Sequence, residues 1–241
     1  VHDEVDILLV FTKRPHTLSA LTSVRHLIGA GTWVVTLQNG LDAGERLAPI
    51  VSRERIAIGM TNWPADLAAV GHVISHGTGE VRVWSLSGHA DPGLSGIVAA
   101  LTHAGLRCSL DPNVLLSIWE KAAFNAAMNA IAAVSRMHVG QMADSAHIRA
   151  IAAGVVREAV TTAHAAGIEA DEFRIWAALE HAYAAHRDHR PSMLQDLLAG
   201  RKTEIDAING AIVDHAKRLG VSVPITETLA LLVRAMESVC Q

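Results

Sequence analysis

Cysteine is scarce in this chain. Cys108 and Cys240 are the only two in 241 residues, far apart and in neither CxxC nor metal-ligand spacing. That excludes a disulfide framework and a thiolate metal centre, and leaves two buried or incidental thiols of the kind a reducing compartment allows. Clustered positive charge is missing too: 20 Lys and Arg are scattered among 24 Asp and Glu, for a formal charge of −4. Nothing in that balance resembles a nucleic-acid or anionic-membrane surface, although one local lysine suffices for a small anion. No apolar run reaches the roughly 18 residues of a membrane span and no basic-then-apolar leader opens the chain, so a soluble, cytoplasmic protein is expected. The 14 histidines form no HExxH or comparable pattern, so no metal is expected. Internal repeats and low-complexity segments are absent as well.

What is present is apolar material in two textures. Half of the residues are hydrophobic, enough for a substantial core and, at this length, for two modest domains. Residues 6–12 (DILLVFT) and 32–37 (TWVVTL) are short, nearly continuous runs rich in branched side chains, the pattern of strands buried on both faces of a parallel sheet. A helical stretch joins them, from Pro15 to Ile28, ended by Gly29 and Gly31. Residues 41–50 read as a helix and 55–60 as a third strand, which together resemble part of a doubly wound α/β domain. Residues 70–76 and 80–86, joined by Gly77-Thr78-Gly79, read as an antiparallel hairpin. A helix over 92–104 and a short strand over 107–110 follow. From Asn113 onward the sequence turns alanine-rich and helical, with helices expected over 113–134, 145–166, 171–187, 203–219 and 224–239 and a domain boundary near Asp111-Pro112.

The segment WEKAAFNAAMNAIAAV carries the sharpest chemical signal. Lys121, Asn125 and Asn129 recur every fourth residue, and at about 100° per residue they form one stripe roughly 12 Å long. A solvated helix face, or hydrogen bonds between helices, is the ordinary reading. Yet Phe124, Met128, Ile131 and the alanines make this helix apolar almost all round, and a buried ammonium with two amides is costly unless partners satisfy it. A second polar cluster, PSMLQDLLAGRKTEIDAINGAIV, contains Ser192, Gln195, Asp196, Glu204, Asp206 and Asn209. Helix capping is the ordinary reading there, with Ser192 and Thr203 as N-caps and Gly200 as a stop.

Four motifs in this order resemble the ketopantoate reductases, also called 2-dehydropantoate 2-reductases, over essentially the whole chain. They are the strand ending in Thr12-Lys13, the Asn-Gly turn in TLQNGL (residues 36–41), WEKAAFNAAMN, and PSMLQDLLAGRKTEIDAINGAI. The resemblance implies an α/β Rossmann-like N-terminal domain, incomplete in this chain, over 1–111, which binds NADP. It implies an all-α substrate-binding and catalytic domain over 112–241. Carried over residue by residue, it makes Lys121 the proton donor, Asn125, Asn129 and Ser192 substrate contacts, and Lys13, Asn39 and Glu204 contacts to the cofactor. A small 2-keto acid would be the substrate, with pantothenate biosynthesis as the setting. The sequence leaves the oligomeric state open, although the helical domain is apolar enough to form a homodimer.

Those roles are chemically sensible. Reducing a ketone needs a hydride at carbon and a proton for the developing alkoxide, and a partly desolvated lysine is both an acid and an electrostatic stabiliser. Asparagine amides can hold a polar substrate in one pose without adding charge. Lys13 lies at the C-terminal end of a parallel strand, where ligands meet open α/β sheets, with an exposed loop lysine as the ordinary reading. Asn39-Gly40 reads as a tight turn by itself, and its place after a second buried strand favours the cofactor crevice.

Two features depart from the family. The glycine-rich strand-to-helix turn that cradles a pyrophosphate is not in this sequence, since Gly29 and Gly31 end a helix and Gly77 and Gly79 sit in a hairpin; a strand, turn and helix upstream of residue 1 are therefore expected. And where some members carry another substrate-contacting asparagine after the catalytic helix, this chain has Met137-His138-Val139. The stripe thus supports 2-keto acid reduction more firmly than ketopantoate in particular. Two alternatives stand beside it: a non-catalytic helical interaction module, and an NAD-dependent hydroxy-acid dehydrogenase running in the opposite direction.

Overall fold

The computed structural model describes residues 3–75 and 77–239; Cys240 and the strand end expected at His76 lie outside the described residues. The chain forms two compact units, one of Val1–Gln38 with Ala43–Leu115, the other of Asn39–Asp42 with Leu116–Gln241.

The first unit is built on a five-stranded sheet in the order β1-β2-β3-β6-β7, with β1 Ile7–Val10, β2 Trp33–Thr36, β3 Ile56–Thr61, β6 Val81–Ser85 and β7 Cys108–Leu110. Neighbours run parallel except β3 and β6, which are antiparallel from Ala57↔Ser85 to Thr61↔Val81. All four residues of β2 are buried, as a branched apolar run in mid-sheet should be. Helix α1 spans Thr17–Ser23 and α2 spans Pro92–His103. Asp91 starts α2, its carboxylate accepting from Gly93 N at 2.7 Å with Pro92 at the first helical position, a placement that uses the missing proline N–H well. Leu94, Ile97 and Leu101 of α2 then pack on Trp33, Val35, Ala57, Val81 and Val83.

The C-terminal ends of β1 and β2 are tied together by one side chain. Gln38 Nε2 donates to the Thr12 carbonyl and to Thr17 Oγ1 at 2.9 Å, while Thr36 Oγ1 donates to Gln38 Oε1 at 3.0 Å. These bonds fix the chain on either side of the exposed Lys13.

Two expectations fail in this unit. Residues 41–50 form turns and no helix: Leu47 N reaches Gly44 O and Ile50 N reaches Leu47 O. Pro49 cannot donate, and Gly44 lies where an added Cβ would stand 2.5 Å from Ile58, so the segment follows the sheet surface. The hairpin is also elsewhere. β4 Asp66–Ala69 pairs with β5 His72–Ile74 around Gly71, whose φ of +76° suits glycine, and β6 joins the main sheet. Val81, Val83 and Ser85 are buried on alternate positions of β6, a pattern that an isolated hairpin could not cover.

The second unit is helical: α3 Val114–Ser135, α4 Val139–Asp144, α5 Ala146–Ala165, α6 Glu172–Ala185, α7 Ser192–Leu198, α8 Asn209–Leu219 and α9 Pro224–Val239. Helix α3 is its axis, and Ala123, Ala126, Ala127, Ala130, Ala132 and Ala133 are buried in the main core cluster. Alanine favours helix and lets neighbouring helices approach closely. The helix stops at Arg136, whose φ of +59° is unusual for a residue with a Cβ. Side chains help start three of the others: Ser145 caps α5, Asp171 caps α6, and at α4 Gln141 Oε1 accepts from His138 N at 3.1 Å.

Helices α4 and α7 are additional to those expected, and α8 starts six residues late. Ser192 is the first residue of α7 and makes no cap, and Thr203 Oγ1 accepts from Ile205 N in a turn that precedes α8 without capping it. Gly200 does end α7, with φ +63° and Arg201 N reaching back to Asp196 O at 2.8 Å, the bond pattern of a left-handed helix stop. Among the described residues no helix is long and apolar enough to cross a membrane.

Candidate functional site

Helix α3 presents Lys121, Asn125 and Asn129 one turn apart. Lys121 and Asn125 are half-buried and Asn129 is buried. The remaining core positions of the helix are mostly alanine, against which these three polar side chains stand out, with half-buried Ser117 one turn before Lys121. Neither amide has a hydrogen-bonded partner among the described residues, which leaves donors and acceptors ready for a polar ligand.

Lys121 is electrostatically set apart. Burial pushes its ammonium down to about 8, and the negative charge of Glu204 acts in the opposite direction. Withdrawal from water penalises the charged form, while a nearby carboxylate favours it, and here the first effect is larger. The outcome is an acid still mostly protonated at neutral pH that releases its proton far more readily than a surface lysine.

Glu204 sits in the turn that replaces the expected start of α8. Ala207 N and Ile208 N both donate to the Glu204 carbonyl, at 3.0 and 3.1 Å, and Gly210 N donates to Ile205 O at 2.9 Å. Its carboxylate accepts from Asn39 Nδ2 at 3.1 Å. Asn39 reaches it because the loop 39–42 lies against this turn: a Cβ on Gly40, whose φ is +102°, would stand 2.2 Å from the Ala207 carbonyl oxygen. The Asn-Gly pair thus works as a donor followed by the one residue that permits the approach.

The structure therefore brings Lys121, Glu204 and Asn39 into one cluster, with Asn125 and Asn129 along the same helix. Ser192 is exposed at the start of α7, and Lys13 is exposed in the sheet unit. Asn39 and Glu204 offer the donors and acceptors that ribose hydroxyls and a carboxamide require, so they fit the nicotinamide end of a dinucleotide. No glycine-rich strand-to-helix turn is found among the described residues, and none of their groups is assigned to the pyrophosphate. No cluster of metal-ligating side chains occurs among them either.

Sequence reasoning gave no role to three residues beside this cluster. The Trp119 and His215 rings meet edge to face at 5.2 Å. Burial and Arg218 push the His215 imidazole down, partly opposed by Asp214 and Asp42. Asn209, at the start of α8, is fully buried and donates to the Ala126 carbonyl on α3 at 3.3 Å. Its signal in the sequence is its place in the polar cluster of residues 191–213.

Residues 1–88 match the family model described as ketopantoate reductase PanE/ApbA, and residues 113–237 match that of the ketopantoate reductase PanE/ApbA C terminal. The 2-dehydropantoate 2-reductase of Archaeoglobus fulgidus is 32% identical over 238 residues, covering 98% of this chain and 78% of that one. Its counterpart in Streptococcus pyogenes serotype M6 is 30% identical over 237 residues, covering 98% and 77%. A solved ternary structure of D-mandelate dehydrogenase with NADH and anilino(oxo)acetate superposes with a TM-score of 0.94 at 31% identity, covering all of this chain and 79% of that one.

Proposed function

Because the chain belongs to the ketopantoate reductase family, oxidoreductases that act on a CH–OH group, we propose that it reduces 2-dehydropantoate to pantoate with NADPH, as a step of pantothenate biosynthesis. The observation that carries this reading is the half-buried Lys121 with lowered proton affinity, beside a carboxylate that Asn39 holds. A bound nicotinamide supplies the hydride. Lys121 donates the proton to the developing alkoxide and stabilises its charge as it forms, in surroundings where water competes little. Asn125 and Asn129 orient the keto acid, and Ser192 meets its carboxylate or hydroxyl end. Glu204 and Asn39, with Lys13, contact the cofactor; Glu204, an acceptor while ionised, is suited to ribose hydroxyls and would repel the substrate carboxylate.

A second reading keeps the chemistry and changes the substrate: another small 2-keto acid, reduced with NADH. The likeness to D-mandelate dehydrogenase along the full chain favours it, as does the stretch Met137-His138-Val139. There Val139 is buried and the His138 ring is engaged by the Arg187 carbonyl, 2.8 Å from its Nδ1, so this stretch offers a substrate no side-chain amide.

Nicotinamide absorbance in the full-length gene product tests both. NADPH and NADH are each offered with ketopantoate and with phenylglyoxylate, the keto acid of mandelate, for wild type and Lys121→Ala. Oxidation of NADPH by ketopantoate, lowered about 10²–10⁴-fold in kcat/KM by the substitution, is expected. Preference for NADH with phenylglyoxylate selects the second reading, and full activity in Lys121→Ala removes the lysine from both.

A further inference from the structure

Asn209 is a poor choice of residue if stability were all it served. Its side chain is fully buried, its one hydrogen bond, Nδ2 to the Ala126 carbonyl, is 3.3 Å long, and Oδ1 has no partner among the described residues. An unsatisfied buried acceptor destabilises a fold, and an apolar side chain of similar size carries no such penalty. The position of the bond is what singles it out. Ala126 lies five residues after Lys121 on α3, and Asn209 lies five residues after Glu204 at the end of the turn described above. The absence of a long side chain on Ala126 lets the amide reach the helix backbone, whose carbonyl has a second lone pair to offer.

We propose that Asn209 is a positioning residue, which holds the Glu204 turn against the Lys121 helix and so sets the separation of the carboxylate from the ammonium. The turn moves as a body because its own backbone bonds tie 204 to 207 and 208, and 205 to 210. Gly40 backs one side of it at Ala207, and Asn209 fixes the other side to α3. With the amide gone, the turn is free to draw away from α3. The proton affinity of Lys121 then falls, since burial is retained and the opposing carboxylate recedes.

The assignment rests on Lys121 being the proton donor, and its test reads the amine directly, without substrate or cofactor. The pH dependence of acylation of Lys121, followed on its own peptide by mass spectrometry, gives the midpoint in wild type, Asn209→Leu and Asn209→Ser. The midpoint is expected to move down by about half a pH unit, roughly a threefold gain in free amine at a fixed lower pH, while Asn209→Leu keeps its thermal midpoint. In a Glu204→Gln background the same substitution is expected to move it no further. An unchanged midpoint, a persisting shift without the Glu204 charge, or loss of the fold in both variants overturns the proposal. Failure of the proton-donor reading shows separately, as undiminished turnover in Lys121→Ala while the Lys121 midpoint of the Asn209 variants still moves.

Discussion

Glu158 and Glu204 are both half-buried carboxylates of the helical unit, and their surroundings could hardly be less alike. Glu158, on α5, accepts from Ile225 N at 3.0 Å, Thr226 N at 2.8 Å and Thr226 Oγ1 at 2.7 Å. It satisfies the first turn of α9, where a negative charge also suits the helix dipole. Among the described residues the Glu204 carboxylate accepts from Asn39 alone, and it acts on a lysine that burial has made a weaker base. One carboxylate completes the architecture. The other keeps capacity in reserve beside an acid, which is the arrangement a ligand can use.

Removing each group separates these two uses. Glu158→Ala leaves two backbone N–H groups and a buried hydroxyl without their acceptor; a loss of about 2–3 kcal/mol in urea unfolding is expected, with turnover per folded molecule unchanged. A fall in turnover without a fall in stability would erase the contrast. Lys121→Met tests the opposite case. The folded-state value near 8 lies below that of a free lysine, so between about pH 8 and 10.5 the unfolded chain binds the extra proton and wild-type stability rises with pH. Below that window the protonated lysine weakens the fold. Lys121→Met should therefore be more stable than wild type by about 1–2 kcal/mol at pH 7, an advantage that disappears by about pH 10.5 in thermal melts and comes with loss of activity. The smallest effect belongs to Arg174, half-exposed, whose guanidinium lies 2.6 Å from Glu120 next to Lys121 in sequence. Arg174→Ala should cost under about 1 kcal/mol in the same melts and leave the titration of Lys121 in place.

The buried strands were legible because a short apolar run rich in branched side chains suits little except the middle of a sheet: residues 6–12, 32–37 and 55–60 contain or nearly coincide with β1, β2 and β3. Helix α3 was legible from its alanines, and Lys121, Asn125 and Asn129 stood out against that background for the same reason. Residues 41–50 and 203–208 misled because their helical periodicity is genuine but is overridden by contacts distant in sequence: Gly44 against Ile58, and Gly40 against Ala207. Local patterning carries no trace of a backbone that must pass another at van der Waals distance. The link from Asn39 to Glu204 depends on that same passage, and the bond from Asn209 to Ala126 depends on helix packing. Their residue types were visible in the sequence and their partners were not.

The approach of Gly40 to Ala207 also has a meaning for the gene. Every missense change that a single base can make in a glycine codon brings in a Cβ, and here even the smallest would collide with a main-chain oxygen while forced into a backbone conformation that side chains disfavour. Position 40 is thus a site where mutation has no mild option. Surveyed across a population of random variants, it should be as empty of survivors as position 121, though it carries no functional group at all.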